Sequence, residues 1–294
     1  MMADSSAEFG IRYAERLARH TSWRVGGPAE VFYTPKSIQA LSVFLAEYHR
    51  ESLVWLGLGS NVLVRDGGIK GTVIATVGGL SLLQETQDGI YAEAGVPLAK
   101  LARFCADRGY EGLEFLAGIP GTVGGALAMN AGAAGSDTWS HVGAVETIDR
   151  RGEIRMRRPA EFKVAYRSVE GYPGEWFVAA RFELVKGLAV DGKRRIKECL
   201  AMRKRTQPIQ TANAGSVFRN PPGDFAARLI EAAGLKGLRE GGATVSARHA
   251  NFIINDNNAS AGDIERLIAS VQSAVQERTG VLLELEVRIL GDDQ

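Results

Sequence analysis

Residues 118–135 read Gly118-Ile-Pro-Gly-Thr-Val-Gly-Gly-Ala-Leu-Ala-Met-Asn-Ala-Gly-Ala-Ala-Gly135, the densest run of glycine in the chain. Gly118, Gly121, Gly124, Gly125, Gly132 and Gly135 leave the backbone bare, and the run holds no Asp, Glu, Lys or Arg. Bare backbone lets N–H groups approach a diphosphate and form an anion-binding nest, so phosphate held here rests on backbone dipoles. The competing reading is glycine packed tightly against a neighbouring element.

Outward from this run the pattern changes on each side. Upstream, Ile38, Leu41, Leu45 and Tyr48 recur at helical spacing behind Thr34-Pro35, which resembles an N-cap followed by Pro at N1. Residues 53–57, 62–65, 72–76 and 90–94 read as short strands, and 97–108 as an amphipathic helix ending before Gly109. Downstream, 144–148, 153–156 and 177–186 predict antiparallel strands, and 191–204 a connecting helix. In the tail, Phe225, Leu229, Ile230 and Ala233 form a helix face, and 252–255 reads as a strand. Ser260 and Asp263 form a capping box ahead of Ile264, Leu267, Ile268, Val271 and Val275, and Gly280 stops that helix. Val281, Leu283, Leu285, Val287 and Ile289 alternate with Leu282, Glu284, Glu286 and Arg288, the period of a final strand. The polar residues 1–20 predict fraying or a short helix. The expected class is α+β.

Composition narrows the function. The 294 residues carry 35 Lys plus Arg against 34 Asp plus Glu, so no bulk charge draws the chain to nucleic acid or anionic membrane. Glycine, 35 residues, is about 12% against the usual ~7%, an excess that needs tight turns or backbone–ligand contacts. Cys105 and Cys199 lie among apolar helical residues and make no disulfide framework; both are expected as reduced core residues. His20, His49, His141 and His249 have no metal-ligand spacing. The N-terminus lacks the apolar region of a secretory signal, and no stretch approaches the ~20 apolar residues of a membrane span. The cytoplasm is the expected compartment.

Several short motifs invite chemistry. Gly57-Leu-Gly-Ser-Asn61 partly resembles a dinucleotide fingerprint, but the third Gly is missing and a strand follows where a helix is required. It remains a polar turn able to expose backbone N–H groups. Gly215-Ser216 sits in a turn-rich loop and is no nucleophile elbow; a turn or capping Ser is the plain reading. Arg167, taken alone, reads as a surface charge, and Glu284 and Glu286 as a solvent-facing strand face. The basic clusters Arg155, Arg157, Arg158 and Arg203, Lys204, Arg205 suggest a local anionic substrate over nucleic acid.

Six motifs in order carry a resemblance. They are His20-Thr-Ser-Trp-Arg-Val-Gly-Gly-Pro28, Gly57-Leu-Gly-Ser-Asn61, Gly118-Ile-Pro-Gly-Thr-Val-Gly-Gly125, Ala165-Tyr-Arg-Ser168, Gly215-Ser-Val-Phe-Arg-Asn-Pro221 and Leu283-Glu-Leu-Glu-Val-Arg288. From about residue 19 to 291 the chain resembles the UDP-N-acetylenolpyruvoylglucosamine reductase family, in its shorter type II subgroup. The resemblance implies a vanillyl-alcohol-oxidase-type (PCMH) FAD-binding fold plus a C-terminal α+β substrate domain. It divides the chain into a polar segment 1–19, a two-lobed FAD domain 20–187, a connecting helix 188–204 and a substrate domain 205–294.

The resemblance also implies non-covalent FAD, NADPH as reductant and UDP-N-acetylglucosamine enolpyruvate as substrate, with hydride passing from flavin N5 to C3. Cofactor-binding residues map onto Gly57, Gly59, Ser60 and Asn61, and onto Gly118, Ile119, Pro120, Gly121, Thr122, Gly124, Gly125, Asn130, Ala131 and Gly132. Catalytic roles map onto Arg167, Ser216 as proton donor to C2, and Glu286. Tyr166, Asn220, Lys204 and Arg205 map onto the substrate side. Two departures stand out: no insertion follows Arg167 to carry the lid Tyr of the longer subgroup, and Leu285 stands where the family often has Pro. The alternatives are another FAD-dependent oxidase of this fold and a non-catalytic nucleotide-sugar-binding module; flavin colour separates the second from the rest.

Overall fold

The computed structural model describes residues 10–48 and 52–293. Expectations for residues 1–9 and for His49 lie outside the described residues. The chain is α+β and divides into two compact units. The first collects residues 1–12, 31–58 and 71–202, and the second residues 13–30, 59–70 and 203–294.

The first unit is built on antiparallel pairing, as the spacing downstream of the glycine run predicts. Its five-stranded sheet runs Ile154–Arg157, Val142–Asp149, Glu175–Phe182, Gly89–Glu93, Leu83–Thr86. A parallel pair, Leu53–Leu56 with Ile69–Ala75, matches two of the upstream strands. Leu98–Asp107 is helical and buries Leu98, Leu101, Ala102, Cys105 and Ala106 on one stripe. The Ile38–Glu47 helix is capped by the Ser37 hydroxyl accepting from Ala40 N, three residues beyond the Thr34 expected there. A helix unseen in the sequence, Val123–Met129, lies inside the glycine run. Its two glycines hide the pattern, yet Val123, Ala126 and Leu127 give it a buried face.

The second unit has its own core, in which Trp23, Leu63, Val217, Phe218 and Ile230 pack with the apolar face of Ala261–Thr279. Trp23 is fully buried and its indole donates to Ile253 O at 2.8 Å. Val62–Val64 pairs in parallel with Arg288–Leu290. Two expectations need correction. Ile11–Arg16 is a strand, and the short helix expected within residues 1–20 is only the 3-10 turn Leu17–Arg19; a polar sequence suits a strand at a sheet edge, where only one side is covered. Of the expected strand 281–289, only Arg288–Leu290 is regular, because Leu285 makes an isolated bridge to Phe218 in place of a continuous ladder. The alternation survives without it: Leu283 and Val287 are buried while Leu282, Glu284 and Arg288 are exposed. Both cysteines are free; burial pushes the Cys105 thiol up to about 12, whereas Cys199 is only half-buried.

The predicted capping box forms around Ser260. Its hydroxyl accepts from Asp263 N at 3.0 Å, and the Asp263 carboxylate accepts from Ser260 N at 3.0 Å and Gly242 N at 3.3 Å. The Asp66 carboxylate takes the next two amides, Ala261 N and Gly262 N, both at 3.1 Å. The Ser260 amide foremost, then Gly242 and the Ser260 hydroxyl, hold the Asp263 carboxyl below the ordinary aspartate range. A depressed folded value stabilises the fold fully above the unfolded aspartate pKa and is lost as pH falls through the folded one. Ser260→Ala should therefore cost about 1 kcal/mol at neutral pH. Asp263→Asn should also be less stable at pH 7, with its gap to the parent closing on acidification. Urea unfolding of the three proteins across pH checks both; a gap independent of pH would remove the cap from the acid response.

Candidate active site

In the first unit, two glycine turns meet. A Cβ built on Gly57 would stand 2.6 Å from the Thr122 hydroxyl, so only a bare residue fits there. The Thr122 hydroxyl is buried and has no hydrogen-bond partner among the described residues. Such a group is costly unless something satisfies it. The backbone around it is partly spoken for: Val123 N donates to Val96 O at 3.0 Å, Gly124 N to Ala94 O at 2.9 Å and Leu98 N to Gly121 O at 3.0 Å. Gly124 is pressed on Ala94, whose Cβ would lie 2.9 Å from an added Cβ, so this glycine serves close packing. Gly125 faces open space, with only the Thr122 hydroxyl at 3.8 Å. The amides of Gly57 and Leu58 meet no acceptor among the described residues. An orphaned hydroxyl, an open glycine and unclaimed amides, with no acidic group in the run, fit a dinucleotide cofactor.

Arg167 closes a two-residue hairpin loop between Lys163–Ala165 and Ser168–Glu170. It has φ +54°, the left-handed region where Gly or Asn is the usual occupant. Its guanidinium donates to Gly132 O at 2.9 Å and Asn130 O at 3.4 Å and lies 5.1 Å from the exposed Tyr166 ring. The arginine expected alone as a surface charge thus reaches the end of the glycine run. Four residues, 171–174, separate this hairpin from the Glu175–Phe182 strand, which leaves no insertion. The nearby basic cluster is structural: Arg155 pairs with Asp149 and Glu153, and Arg157 with Glu161 and Glu175.

The second unit brings together the Ser216 loop, the Glu286 segment and the Asn61 turn. Gly59 has φ +68°, and a Cβ on it would strike the His20 carbonyl. Asn61 Nδ2 donates to Glu286 O at 3.2 Å, and Arg288 N to Asn61 O at 3.0 Å. Glu286 N donates to Val217 O at 2.8 Å and Arg219 N to Glu284 O at 2.8 Å. Ser216 is half-buried, and its hydroxyl has no hydrogen-bond partner among the described residues, which a capping serine would have. Asn220 Oδ1 accepts from Ala226 N at 3.1 Å, at the start of the Ala226–Ala232 helix. Lys204 and Arg205 are exposed in the last turn of Ala189–Thr206, and Arg248 donates to Lys204 O at 3.3 Å. Burial lowers the pKa of the neighbouring Arg203, whose Nε donates to Gln207.

Sequence reasoning missed Asn251. It is buried, its Oδ1 accepts from Phe218 N at 2.9 Å, its Nδ2 donates to Phe218 O at 2.7 Å, and its carbonyl accepts from Val217 N at 2.9 Å. It thereby fixes the two residues after Ser216. The only signal was an unexplained Asn beside the apolar run 252–254. No cluster of metal-ligating side chains occurs, and no helix is long and apolar enough to cross a membrane, among the described residues.

Comparison with known proteins identifies the family. The C-terminal domain family of UDP-N-acetylenolpyruvoylglucosamine reductase matches residues 207–290, and an FAD-binding domain family matches residues 29–156. UDP-N-acetylenolpyruvoylglucosamine reductase of Methylococcus capsulatus is 58% identical over 95% of this chain and 93% of its own. That of Alkalilimnicola ehrlichii is 56% identical over 97% and 96%. The crystal structure of the Thermus caldophilus enzyme superposes with a TM-score of 0.82 at 35% identity, covering 94% of this chain and 97% of that one.

The two adjacent glycines should separate experimentally. Gly124→Val overpacks the Ala94 contact and should destabilise the flavin-free protein by ~1–3 kcal/mol. Gly125→Ala meets open space in a helix and should leave the flavin-free protein as stable or slightly more so. Denaturation midpoints of the two apo variants decide it; equal losses would contradict the packing assignment of Gly124.

Proposed function

The chain belongs to the UDP-N-acetylenolpyruvoylglucosamine reductase family, FAD-dependent oxidoreductases of peptidoglycan-precursor synthesis, and from that premise we propose that it reduces UDP-N-acetylglucosamine enolpyruvate to UDP-N-acetylmuramate with NADPH in the cytoplasm. The observation that carries the residue-level reading is Ser216: a half-buried hydroxyl with no protein partner among the described residues, on backbone held rigid by Asn251. In this reading residues 20–187 serve the cofactor, 205–294 the substrate, and 188–204 connect them.

FAD, when bound, would supply the redox chemistry that links NADPH oxidation to reduction of the enolpyruvyl group. In the first unit Gly57, Gly118 to Thr122, Gly124, Gly125 and Asn130 to Gly132 would hold it, and in the second Gly59, Ser60 and Asn61 would do so. For Gly124 and Asn130 that role is indirect, through Ala94 packing and through capping respectively. Hydride addition at C3 leaves negative charge at C2 that spreads into the carboxylate. Arg167 stabilises that charge with a planar, charge-assisted contact. Ser216 gives its proton to C2. Glu286 orients water or donates a hydrogen bond at the same carbon, while Tyr166, Asn220, Lys204 and Arg205 hold the nucleotide-sugar portion.

The purified protein should show the visible spectrum of oxidised flavin, released by acid. Ser216→Ala should keep FAD and its reduction by NADPH, but slow re-oxidation by the enolpyruvyl substrate by about 10²- to 10⁴-fold. Ser216→Cys should recover part of that rate, because a thiol also donates a proton. Arg167→Lys should damage the same half-reaction selectively, since an ammonium cannot make the two-pronged contact. Stopped-flow measurement of each half-reaction tests all three; an alanine variant re-oxidised at the parent rate would make Ser216 structural.

A further inference from the structure

Asn130 engages all four of its polar groups, on five different residues. Its backbone N–H closes the Val123–Met129 helix onto the carbonyls of Ala126 and Leu127, in a left-handed C-cap at φ +41°. Its carbonyl accepts from Arg167 Nη1 at 3.4 Å. Its side-chain Oδ1 accepts from Trp139 N at 3.2 Å, and its Nδ2 donates to Ala165 O at 3.3 Å, the strand residue two before Arg167. The side chain is buried. The next carbonyls are sorted as strictly: Ala131 O accepts from Thr138 N and Thr138 Oγ1, whereas Gly132 O turns to Arg167 Nη2.

We propose that Asn130 is a positioning residue for Arg167, holding the hairpin by Ala165 and the guanidinium by its own carbonyl. This rests on the reading of Arg167 as the group that meets the substrate carboxylate. The geometry gives the reason such a residue is needed. Arg167 sits in a backbone region that disfavours its side chain, at the tip of a two-residue loop, with several rotatable bonds beyond. Left to itself the guanidinium samples many positions. Two carbonyls 2.9 and 3.4 Å away, carried on a helix cap, leave it few. Asparagine alone meets the demands together: it tolerates the left-handed cap, and it offers both a donor and an acceptor beyond its backbone.

The test uses the flavin-loaded full chain. Asn130→Gly keeps the cap conformation and removes both side-chain bonds. Asn130→Asp keeps the cap and the acceptor for Trp139 N, but sets a carboxylate oxygen against the Ala165 carbonyl. Both should slow re-oxidation of the flavin-loaded protein by the enolpyruvyl substrate by about 10- to 10²-fold more than they slow its reduction by NADPH, the scale of a small misplacement. In an Arg167→Ala background neither should slow it further, because a positioning residue acts only through the group it positions. Effects that multiply in the double variants would overturn the proposal, as would equal slowing of the two half-reactions in both single variants. A parent-like rate for Arg167→Ala itself would instead sink the reading of Arg167, a distinguishable result.

Discussion

The backbone of residues 121–124 lies directly against that of residues 94–98, and the arrangement of the first unit's glycine turns and of Arg167 follows from this contact. Three backbone hydrogen bonds cross it, and Gly124 sets its closeness by having no side chain to hold Ala94 away. Two glycines in a short helix cost ~0.5–1 kcal/mol each relative to alanine. Three backbone bonds at ~0.5–1.5 kcal/mol each offset that, and they satisfy amides that burial would otherwise orphan. Once the contact is made, the Thr122 hydroxyl stands over Gly57 and the seven-residue helix is capped at Asn130. The carbonyls of Asn130 and Gly132 then fall where the Arg167 guanidinium takes them.

The second unit solves a different problem. Ser216 and Glu286 lie on irregular backbone, and irregular buried backbone needs acceptors and donors that no ladder provides. Asn251 acts as a one-residue strand for 217–218, while Val217 O accepts from the amides of both Glu286 and Val287. Gln272 Nε2 holds Leu283 O at 2.6 Å from the long helix, and Asn61 holds Glu286 O from the opposite chain segment. The fully buried Trp23 and Phe218 anchor this frame in the core. The loop is therefore rigid where Ser216 leaves it, though its hydroxyl itself is left unclaimed by protein.

Much of the fold was legible because period and cap act locally. The helices at 38–47, 98–107 and 261–279 declare themselves through apolar spacing, and the antiparallel strands after 142 through alternation between glycines. The Val123–Met129 helix was not legible, since glycine is the residue that weakens a helical pattern, and the pairing that stabilises it comes from Ala94 and Val96, far back in the chain. The division into units was equally hidden: residues 13–30 and 59–70 join 203–294 through contacts that no local pattern encodes. Candidate site residues were legible by ordered motif, not by local chemistry. Taken alone, Arg167 looked like a surface charge and Ser216 like a cap, because what distinguishes them is the partner each has or lacks. Asn251 showed only as an asparagine beside an apolar run, and the positioning bonds of Asn130 had no signature, for a buried asparagine in sequence resembles any turn asparagine.

Arg167 shows why backbone and side chain disagree at such a place. The left-handed conformation costs an L-residue of order 1–2 kcal/mol, and a glycine or asparagine at the hairpin tip would relieve it. Relief would come at the loss of the guanidinium that meets Gly132 O and Asn130 O. Neighbouring Tyr166 takes the other loop position without positive φ and lends its ring to the guanidinium, so the strain is concentrated on the one residue whose side chain is long, planar and always charged. Under the proposed role of Arg167, strain held by two carbonyls and an aromatic ring is the cost of keeping this side chain at the hairpin tip. The same conflict, resolved in the opposite direction, appears at Gly57 and Gly124, where side chains were given up so that backbone could close on backbone and on the Thr122 hydroxyl.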